Sequence, residues 1–403
     1  MRIYLNDMLY ALSYALDCVE HEFLGAREHH AARVAYICVQ LGRAYKMKPD
    51  ELVHLAAAAV LHDNALTEYV SLKKYPAESY YGAPGEGERA HCRMGERNVQ
   101  VLPFYTYIRD AVLYHHENAD ASGAFSMSER NTPLFAQLIH LGDKLDNAFP
   151  LDCVDAAKHE KIRSYLKHQS GLFFAPELVD AFDLVFQQPI GELLSQEAPG
   201  LLLRETLPDA PQEYDEQEIE AFAAMFARII DYKSHFTCTH SQGIAEKSRK
   251  LGQFLGRDAE VCTKLYLAGA LHDIGKLAIP NRILEKPDQL TNQEFEVMKT
   301  HALISWKILS RVEGLEDVAE WAGMHHEKLN GAGYPFGRQA DSLGQEARLL
   351  ACVDIYQALS EVRPYKEGFS HRKAMEIMYG MADKGFIDSY ITQAVDACFG
   401  TVH

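Results

Sequence analysis

The chain carries an internal repeat, and this feature constrains its fold more than any other. Histidine and aspartate residues of the second half recur in the first half. The offset is 210 positions for the residues up to His326 and 211 positions for Asp354. The second-half set is His240, His272, Asp273, His301, His325, His326 and Asp354, and the first-half set is His30, His62, Asp63, His91, His115, His116 and Asp143. Agreement at this many positions predicts two copies of one domain.

The segments around these residues also correspond. The segments "LAAAAVLHDNAL" (55–66) and "YLAGALHDIGKL" (266–277) each carry an apolar run that ends in His-Asp, and "YHHENADASGAF" (114–125) corresponds to "MHHEKLNGAGYP" (324–335). An apolar stripe with helical spacing, at Ile219, Phe222, Phe226 and Ile229, has apolar counterparts at Leu9, Leu12, Leu16 and Val19. Because strand-like alternation is scarce, we predict an all-α fold of two tandem helical domains related by internal duplication.

The connector between the two copies is visible in the composition. The segment "LSQEAPGLLLRETLPDAPQEYDEQE" (194–218) contains three prolines and an acidic tail, which is typical of a linker. Asp215 and Glu218 have the spacing of a capping box and predict a helix over residues 216–232. The sequence therefore predicts one domain over residues 1–205 and a second over residues 206–403.

Composition excludes several classes of partner. A net charge of −17 repels nucleic acid and anionic membranes, so we expect neither DNA nor a membrane as partner. The most apolar stretch, at 55–61, is too short to span a bilayer, and the N-terminus lacks the features of a signal peptide. The eight cysteines include no C-x-x-C pair, which favours reduced thiols in a cytoplasmic protein.

The repeated residues have the chemistry of metal ligands. Imidazole nitrogens and carboxylate oxygens suit Fe, Mn, Ni or Zn, and a set without cysteine argues against a structural zinc cage. Seven ligands suit two ions, which hold a bridging hydroxide for attack on phosphorus. Asp273 is expected to bridge the ions, while Lys276 offsets charge on a phosphate oxygen.

Residues 231–368 resemble the HD-GYP branch of the HD metal-dependent phosphohydrolases. The segments that carry the resemblance are "HDIGK" (272–276), "IPNRILEKP" (279–287), "LTNQEFEVMKTH" (290–301), "HHEKLNGAGYP" (325–335), "ARLLACVDIYQAL" (347–359) and "RPYK" (363–366). The resemblance implies two tandem HD-type domains and hydrolysis of a cyclic dinucleotide to the linear dinucleotide. Cyclic di-GMP is the family's main substrate, and a related subgroup acts on 3′,3′-cyclic GMP-AMP.

Carried over residue by residue, the resemblance implies roles for the residues of the second half. The seven histidines and aspartates named above for that half become ligands of two divalent ions, with Fe or Mn favoured over Ni or Zn. Asp273 and Lys276 become catalytic residues. Lys276, Gly333, Tyr334, Arg363 and Lys366 become contacts of the substrate, a cyclic dinucleotide.

The second half departs from the family pattern at three positions. Phe236 stands where some members have a glutamate that binds a third ion, so two ions are expected. Asn330 replaces the usual aspartate of the signature, and Gln357 replaces the acid that usually follows the metal-binding aspartate. These changes leave cyclic di-GMP and 3′,3′-cyclic GMP-AMP both open as substrates.

The first half resembles a more distant HD domain. It keeps every ligand position, and so predicts a second metal site, but Asn64, Ala65 and Leu66 follow its His-Asp pair where the second half has Ile-Gly-Lys. Gly123-Ala124-Phe125 replaces the Gly-Tyr-Pro loop. One hypothesis is a phosphohydrolase that removes a phosphate from the linear product. The alternative is an inactive copy that serves packing or regulation.

Two further functions remain open from the residues alone. One is a nucleotidase of the wider HD superfamily, which the Gly-Tyr-Pro loop disfavours for the second half only. The other is a non-catalytic module that senses nucleotide, although such a module is expected to lose ligands and here all are retained. The sequence allows a homodimer and does not identify the native metal.

Overall fold

A computed structural model describes residues 2–3, 5–71, 86–189, 199–207, 212–233, 240–361 and 367–400. The described chain is built from helices, apart from a short antiparallel pairing of Arg2–Ile3 (β1) with Gln212–Glu213 (β2). The predicted all-α fold is therefore confirmed. Within those ranges, no helix combines the length and the apolar character needed to cross a lipid bilayer.

The chain divides into two compact units. The first unit is Tyr4–Pro211, and the second is Gln212–His403 together with Met1–Ile3. The predicted boundary after residue 205 lies within the helix Pro199–Thr206, which packs on the first unit. Arg204 of this helix forms an ion pair with Asp7, in which Nε and Oδ1 are 2.7 Å apart.

The first unit contains ten described α-helices. They are α1 (Leu5–Leu24), α2 (His30–Ala44), α3 (Pro49–Val60), α4 (Leu66–Ser71), α5 (Glu86–Val99), α6 (Tyr105–Ile108), α7 (Leu134–Ala148), α8 (Ala156–Gln169), α9 (Pro176–Val185) and α10 (Pro199–Thr206). A 3-10 turn at Leu151–Cys153 follows α7. Helix α2 lies at the centre, because α1, α3, α7, α9 and α10 all pack against it.

The second unit contains nine described α-helices. They are α11 (Glu216–Tyr232), α12 (His240–Phe254), α13 (Ala259–Leu271), α14 (Asn281–Leu284), α15 (Asn292–Leu309), α16 (Glu316–Gly323), α17 (Gln345–Ser360), α18 (His371–Asp383) and α19 (Ser389–Phe399). Two 3-10 turns, Ile274–Ala278 and Ala340–Ser342, complete it. Helices α12 and α13 pack together as α2 and α3 do in the first unit, and α17 packs on α12 as α7 does on α2.

Helix α11 begins and packs as the sequence indicates. Asp215 accepts a hydrogen bond from the backbone N–H of Glu218, whose carboxylate accepts one from the backbone N–H of Asp215, both at 2.9 Å. The predicted capping box is confirmed. The stripe from Ile219 to Ile229 is buried, as is its counterpart from Leu9 to Val19 on α1, so both copies begin with a helix that covers the core.

A close crossing of two helices sets the position of the second unit's His-Asp pair. Gly269 of α13 lies against α12 so closely that an added Cβ would be 2.8 Å from the Cα of Ala245. His272 and Asp273 follow within four residues, where α13 ends. The depth at which α13 packs therefore determines where these two side chains lie.

We predict that Gly269→Ala lowers the free energy of unfolding by about 1–3 kcal/mol, because the added methyl group has to separate α12 from α13. The matched control is Gly380→Ala in α18, where an added Cβ meets no described atom within 4 Å. Removing a helical glycine there should raise stability by up to about 1 kcal/mol. Thermal unfolding followed by circular dichroism measures both; equal shifts of the same sign would contradict the crossing argument.

Candidate metal centres

The structure brings the seven predicted ligands of the second unit into one cluster. His240 begins α12, His272 and Asp273 follow α13, His301 lies in α15, His325 and His326 follow α16, and Asp354 lies in α17. All are buried except His326, which is partly exposed. Ends of several helices thus deliver ligands that are distant in sequence to one place.

The carboxylate of Asp273 lies at the middle of this cluster. Its Oδ2 is 3.1 Å from Nε2 of His272, and its Oδ1 is 3.4 Å from Nε2 of His301 and 4.0 Å from Nε2 of His325. The side chain is 4% exposed, and within the described chain Oδ1 has no hydrogen-bond partner. A buried carboxylate oxygen surrounded by imidazole nitrogens fits a metal ion, which would satisfy all of these groups together.

Backbone carbonyls orient the imidazoles of this cluster. In each of three cases Nδ1 donates a hydrogen bond to the carbonyl three residues earlier: His272 to Gly269, His301 to Met298 and His325 to Ala322. This pattern holds the ring in the tautomer whose Nε2 carries the lone pair. Each Nε2 is therefore ready to bind a metal ion.

The protonation states of the cluster also suit metal binding. Burial lowers the pKa of His301 to about 3 and holds that of His325 well below its usual range, so both rings are neutral near pH 7. Burial acts to raise the pKa of Asp273, but His272 and Lys276 hold it well below the usual value. Next to the ionised carboxylate of Asp273, His301 and His325 thus offer neutral nitrogen donors.

A glutamate that sequence reasoning did not single out orients His240. The Nδ1 of His240 donates to the Oε2 of Glu361 at 3.0 Å, while its Nε2 is 3.6 Å from Oδ1 of Asp354. The side-chain amide of Gln357 donates to the other oxygen of Glu361 at 3.1 Å. Gln357 therefore supports the carboxylate that orients His240.

The first unit repeats this arrangement. His91 and His115 approach with their Nε2 atoms 3.4 Å apart, the same separation as between His301 and His325. Oδ1 of Asp63 is 3.3 Å from Nε2 of His91 and 3.6 Å from Nε2 of His115. The remaining predicted ligands of this unit adjoin them, since His30, His62 and Asp143 form one group and His116 lies beside His91 and His115.

The two units orient their first histidine in different ways. Nδ1 of His30 donates to Oδ2 of Asp146 at 2.7 Å, and Arg33 donates to both oxygens of the same carboxylate at 2.5 and 2.8 Å. With the offset of 211, Asp146 corresponds to Gln357, so the first unit keeps the acid that the second unit has lost.

The partner of that acid has changed together with it. Arg33 corresponds to Gly243, where an added Cβ would be 2.8 Å from the side-chain amide nitrogen of Gln357. Where the first unit has Arg33 beside the carboxylate of Asp146, the second unit thus has Gly243 beside the uncharged amide of Gln357. Glu361, one helical turn after Gln357, supplies the carboxylate instead. The substitution at Gln357 therefore changes how the metal ligand His240 is supported.

The loop after each His-His pair is built on a glycine and a glutamate. An added Cβ at Gly333 would be 2.4 Å from the backbone nitrogen of Lys328, and one at Gly123 would be 2.6 Å from that of Asn118. Because neither contact can relax without moving the backbone, both positions require glycine. The two loops therefore start along the same path.

The loops then differ by one residue. The carboxylate of Glu327 accepts hydrogen bonds from the backbone N–H groups of Phe336 and Arg338, which lie 9 and 11 residues later. The carboxylate of Glu117 accepts them from Phe125 and Met127, which lie 8 and 10 residues later. One residue is thus missing from the first unit's loop after Gly123. This deletion accounts for the change of offset from 210 to 211 before Asp354.

The second unit's loop has Tyr334 and Pro335 where the first unit's loop has Ala124 alone. The ring of Tyr334 packs on that of His326, with centroids 4.7 Å apart, and lies 6.3 Å from that of His301. Its backbone N–H donates to the carbonyl of His326 at 3.3 Å. Tyr334 therefore lies beside the second unit's cluster, where a bound substrate can contact it.

Lys276 gives the second unit a cation beside Asp273. Its Nζ is 2.5 Å from Oδ2 of Asp273, and its side chain is 25% exposed, so it also faces the open side of the cluster. The 3-10 turn that carries it packs tightly, because an added Cβ at Gly275 would be 2.0 Å from the carbonyl oxygen of His301. In the first unit, the buried Leu66 occupies the position of Lys276.

The sequence also singles out four further residues of the second half. Arg363 and Lys366 lie outside the described residues, as does Phe236. Asn330 is described, and its side-chain oxygen accepts a hydrogen bond from the backbone N–H of Ala332 at 3.1 Å. This contact gives Asn330 a role in shaping the loop.

Two residues of the first unit's cluster were not predicted from the sequence. Sγ of Cys92 is 3.6 Å from Nε2 of His91, and the thiol is fully buried. Glu20 of α1 is 1% exposed, its Oε2 is 4.0 Å from Nε2 of His30, and neither carboxylate oxygen has a hydrogen-bond partner in the described part of the chain. The signals were a thiol adjacent to a predicted ligand and a carboxylate within an apolar helical face.

Each of the two repeated halves matches known HD domains. Residues 27–148 and 224–391 each match the HD domain family. The 3′3′-cGAMP-specific phosphodiesterase 1 of Vibrio cholerae is 30% identical over 400 residues, which cover 97% of this chain and 91% of that protein. This chain belongs to the HD-GYP family. The resemblance found in the sequence is thereby confirmed.

Other comparisons with this HD-GYP protein agree. The cyclic di-GMP phosphodiesterase response regulator RpfG of Xanthomonas campestris is 33% identical over 189 residues, covering 46% of this chain and 50% of that protein. A crystal structure described as a cyclic GMP-AMP specific phosphodiesterase of V. cholerae covers 100% of this chain and 99% of its own, with a TM-score of 0.69 and 21% identity. The latter likeness supports the fold of two HD domains.

HD-domain phosphodiesterases are metal-dependent, and both units of this HD-GYP protein contain candidate metal sites. Three groups consist only of histidine and aspartate: His301 with His325 and His326, His240 with His272 and Asp273, and His30 with His62 and Asp143. The potential ligand atoms within each group lie within 4.8 Å of one another. The donor atoms and their burial thus fit the metal ions that the family uses.

We predict that Glu361→Ala weakens metal binding by the second unit about 10–100-fold, because His240 loses the carboxylate that orients it. The variant should be made in a His115→Ala background, so that the first unit's cluster does not obscure the titration. Competition with a chelating dye measures the affinity. The matched control is Glu376→Ala, an exposed partner of Lys373 on α18. An unchanged affinity for Glu361→Ala would contradict the role of Glu361.

Proposed function

We propose that this protein is a metal-dependent phosphodiesterase that opens a cyclic dinucleotide to the linear dinucleotide, and that the second of the two domains predicted from the sequence, residues 206–403, performs this reaction. The observation that carries the proposal is the buried carboxylate of Asp273, surrounded by imidazole nitrogens and contacted by Lys276 from the open side. A site with this composition suits phosphoryl chemistry, in which positive charge has to meet a phosphate.

The relatives support a cyclic dinucleotide as substrate. The relative that matches 97% of this chain acts on 3′3′-cGAMP, whereas RpfG, which acts on cyclic di-GMP, matches 46% of it. We therefore propose 3′,3′-cyclic GMP-AMP as the preferred substrate. The changes at Asn330 and Gln357 are consistent with a preference that differs from that of cyclic di-GMP enzymes.

The residues that would hold two metal ions are the seven clustered ones, namely His240, His272, Asp273, His301, His325, His326 and Asp354. We propose Fe or Mn as the native metal. When bound, such an ion pair supplies an activated water as nucleophile and offsets charge on the phosphate. The chain contributes by keeping His301 and His325 neutral through burial, and by fixing the orientation of the imidazoles through backbone carbonyls and Glu361.

Residues at the open side of the cluster are proposed to bind the substrate. Lys276 reaches a non-bridging phosphate oxygen and stabilises the negative charge that develops on it. Tyr334, packed on His326, limits how the dinucleotide can approach, and Gly333 allows the loop to take this path. Arg363 and Lys366 are proposed as further phosphate contacts on the basis of the sequence.

We predict that His272→Ala and Asp273→Ala abolish ring opening, and that Lys276→Ala lowers kcat about 10²–10³-fold while the metal content stays unchanged. The matched control is Lys264→Ala, which removes a lysine that pairs with Asp317 on the surface of the same unit. Chromatography of the products gives the rate, and elemental analysis gives the metal content. Full activity of Asp273→Ala would contradict the proposed site.

The substrate preference is tested with the full chain and two substrates. We expect kcat/KM for 3′,3′-cyclic GMP-AMP to exceed that for cyclic di-GMP, measured separately under the same metal loading. Equal values would contradict the proposed specificity but leave the reaction intact. Binding of either nucleotide without turnover by the metal-loaded protein would favour the non-catalytic sensing function instead.

For the first unit we propose a second hydrolysis, removal of the terminal phosphate from the linear product. Its ligand cluster is as buried as that of the second unit, while Leu66 and the shorter loop remove two contacts expected for a cyclic dinucleotide. A His62→Ala variant of the full chain should open the ring at the normal rate and accumulate the phosphorylated linear product. An unchanged product pattern would instead favour a copy that serves packing or regulation.

The remaining proposals concern location and partners. The net charge of −17 and the reduced thiols support a cytoplasmic protein that acts on a small nucleotide and binds neither DNA nor a membrane. A homodimer is compatible with these features, and light scattering of the purified chain tests it.

A further inference from the structure

The first unit's cluster contains a sulfur atom at a position where the second unit has none. Cys92 follows His91 on α5, and its Sγ is 3.6 Å from Nε2 of His91 and 3.8 Å from Nδ1 of His115. With the offset of 210, its counterpart is Ala302, which is also fully buried. The thiol is thus a donor atom that the second unit lacks at the corresponding position.

The polar groups around Cys92 need a further partner. In the described ranges, Oδ1 of Asp63, Nε2 of His62 and both ring nitrogens of His116 have no hydrogen-bond partner. Asp63 and His62 are more than nine-tenths buried. Unsatisfied groups at this density are costly in a protein interior, and a cation would satisfy the nitrogen lone pairs and the carboxylate together.

Sγ of Cys92 lies close enough to share that cation. The potential ligand atoms of His91, Cys92, His115 and His116 all lie within 4.8 Å of one another, as do those of His301, His325 and His326 in the second unit. An ion that accepts the three nitrogens of the first unit can therefore also meet the sulfur. The thiol adds a soft donor to a set of imidazoles and a carboxylate.

We propose that Cys92 is a metal ligand of the first unit, so that the two HD domains of one chain hold chemically different metal centres. Among the described residues, the second unit's cluster offers nitrogen and oxygen only, which suits Fe or Mn. The first unit's cluster offers sulfur as well, which shifts its preference towards Zn or another thiophilic ion. This assignment does not depend on which reaction the first unit performs.

Cobalt(II) is the probe that tests this assignment, because a thiolate bound to cobalt gives an intense near-ultraviolet charge-transfer band that nitrogen and oxygen ligands do not give. The full chain carrying His325→Ala should bind cobalt through the first unit's cluster and show this band. Adding Cys92→Ala, which copies Ala302, should remove the band while the circular dichroism spectrum stays the same. Zinc affinity should fall at least about tenfold.

Two control variants test whether the band depends on the position of the thiol. Cys153 is an exposed thiol near Lys158, and Cys153→Ser should leave the band unchanged. In the converse experiment, Ala302→Cys in a His115→Ala background should create a thiolate band in the second unit. X-ray absorption of the zinc-loaded wild-type chain, which requires no substitution, should show a sulfur neighbour at about 2.3 Å.

The outcomes separate clearly. Loss of the band with Cys92→Ala, together with a zinc–sulfur distance in the wild type that the variant lacks, supports the assignment. Cobalt bound without a charge-transfer band, a band that persists in Cys92→Ala, or a first unit that binds no metal overturns it. Ring opening is measured on the wild-type chain and on the Cys92→Ala single variant, which keep every ligand of the second unit, so a failure of that activity is recognised separately.

Discussion

Both units depend on one interaction, the enclosure of an ionised carboxylate by imidazole nitrogens within the protein interior. Asp273 and Asp63 each follow a histidine at the end of an apolar helix, and two more histidines approach from other parts of the same unit. Such a charge is costly to bury alone, so the surrounding nitrogens stabilise it, and a bound cation would satisfy the carboxylate and the nitrogens together. The crossing at Gly269 matters because it sets the depth at which the carboxylate is buried.

The two copies share this centre but use different side chains to orient their first histidine. In the first unit, Asp146 orients His30 and is neutralised by Arg33. In the second unit, Glu361 orients His240 with help from Gln357. A carboxylate near the first histidine is thus retained although its position in the sequence has moved, because what the histidine requires is a hydrogen-bond acceptor on its Nδ1.

Much of the architecture could be predicted from the sequence, because the spacing between ligands on successive elements is the same in both halves up to the His-His pairs. The all-α fold, the duplication and the family were visible in that way. Glu361 and Glu20 were not, because they reach the clusters from helices whose packing angle determines their approach. Cys92 was visible as a neighbour of His91, but a side chain next to a ligand on a helix points elsewhere more often than not.

The glutamates at the base of each loop have a consequence for how such proteins diversify. Glu117 and Glu327 each accept hydrogen bonds from the backbone that follows the loop, although the loops differ in length by one residue. Asp143 and Asp354 still reach their clusters. The segment between the loop glycine and the backbone N–H groups that the glutamate binds can therefore vary in length and sequence. Its length and residues can change what enters the site, while the frame that assembles the metal ligands stays in register.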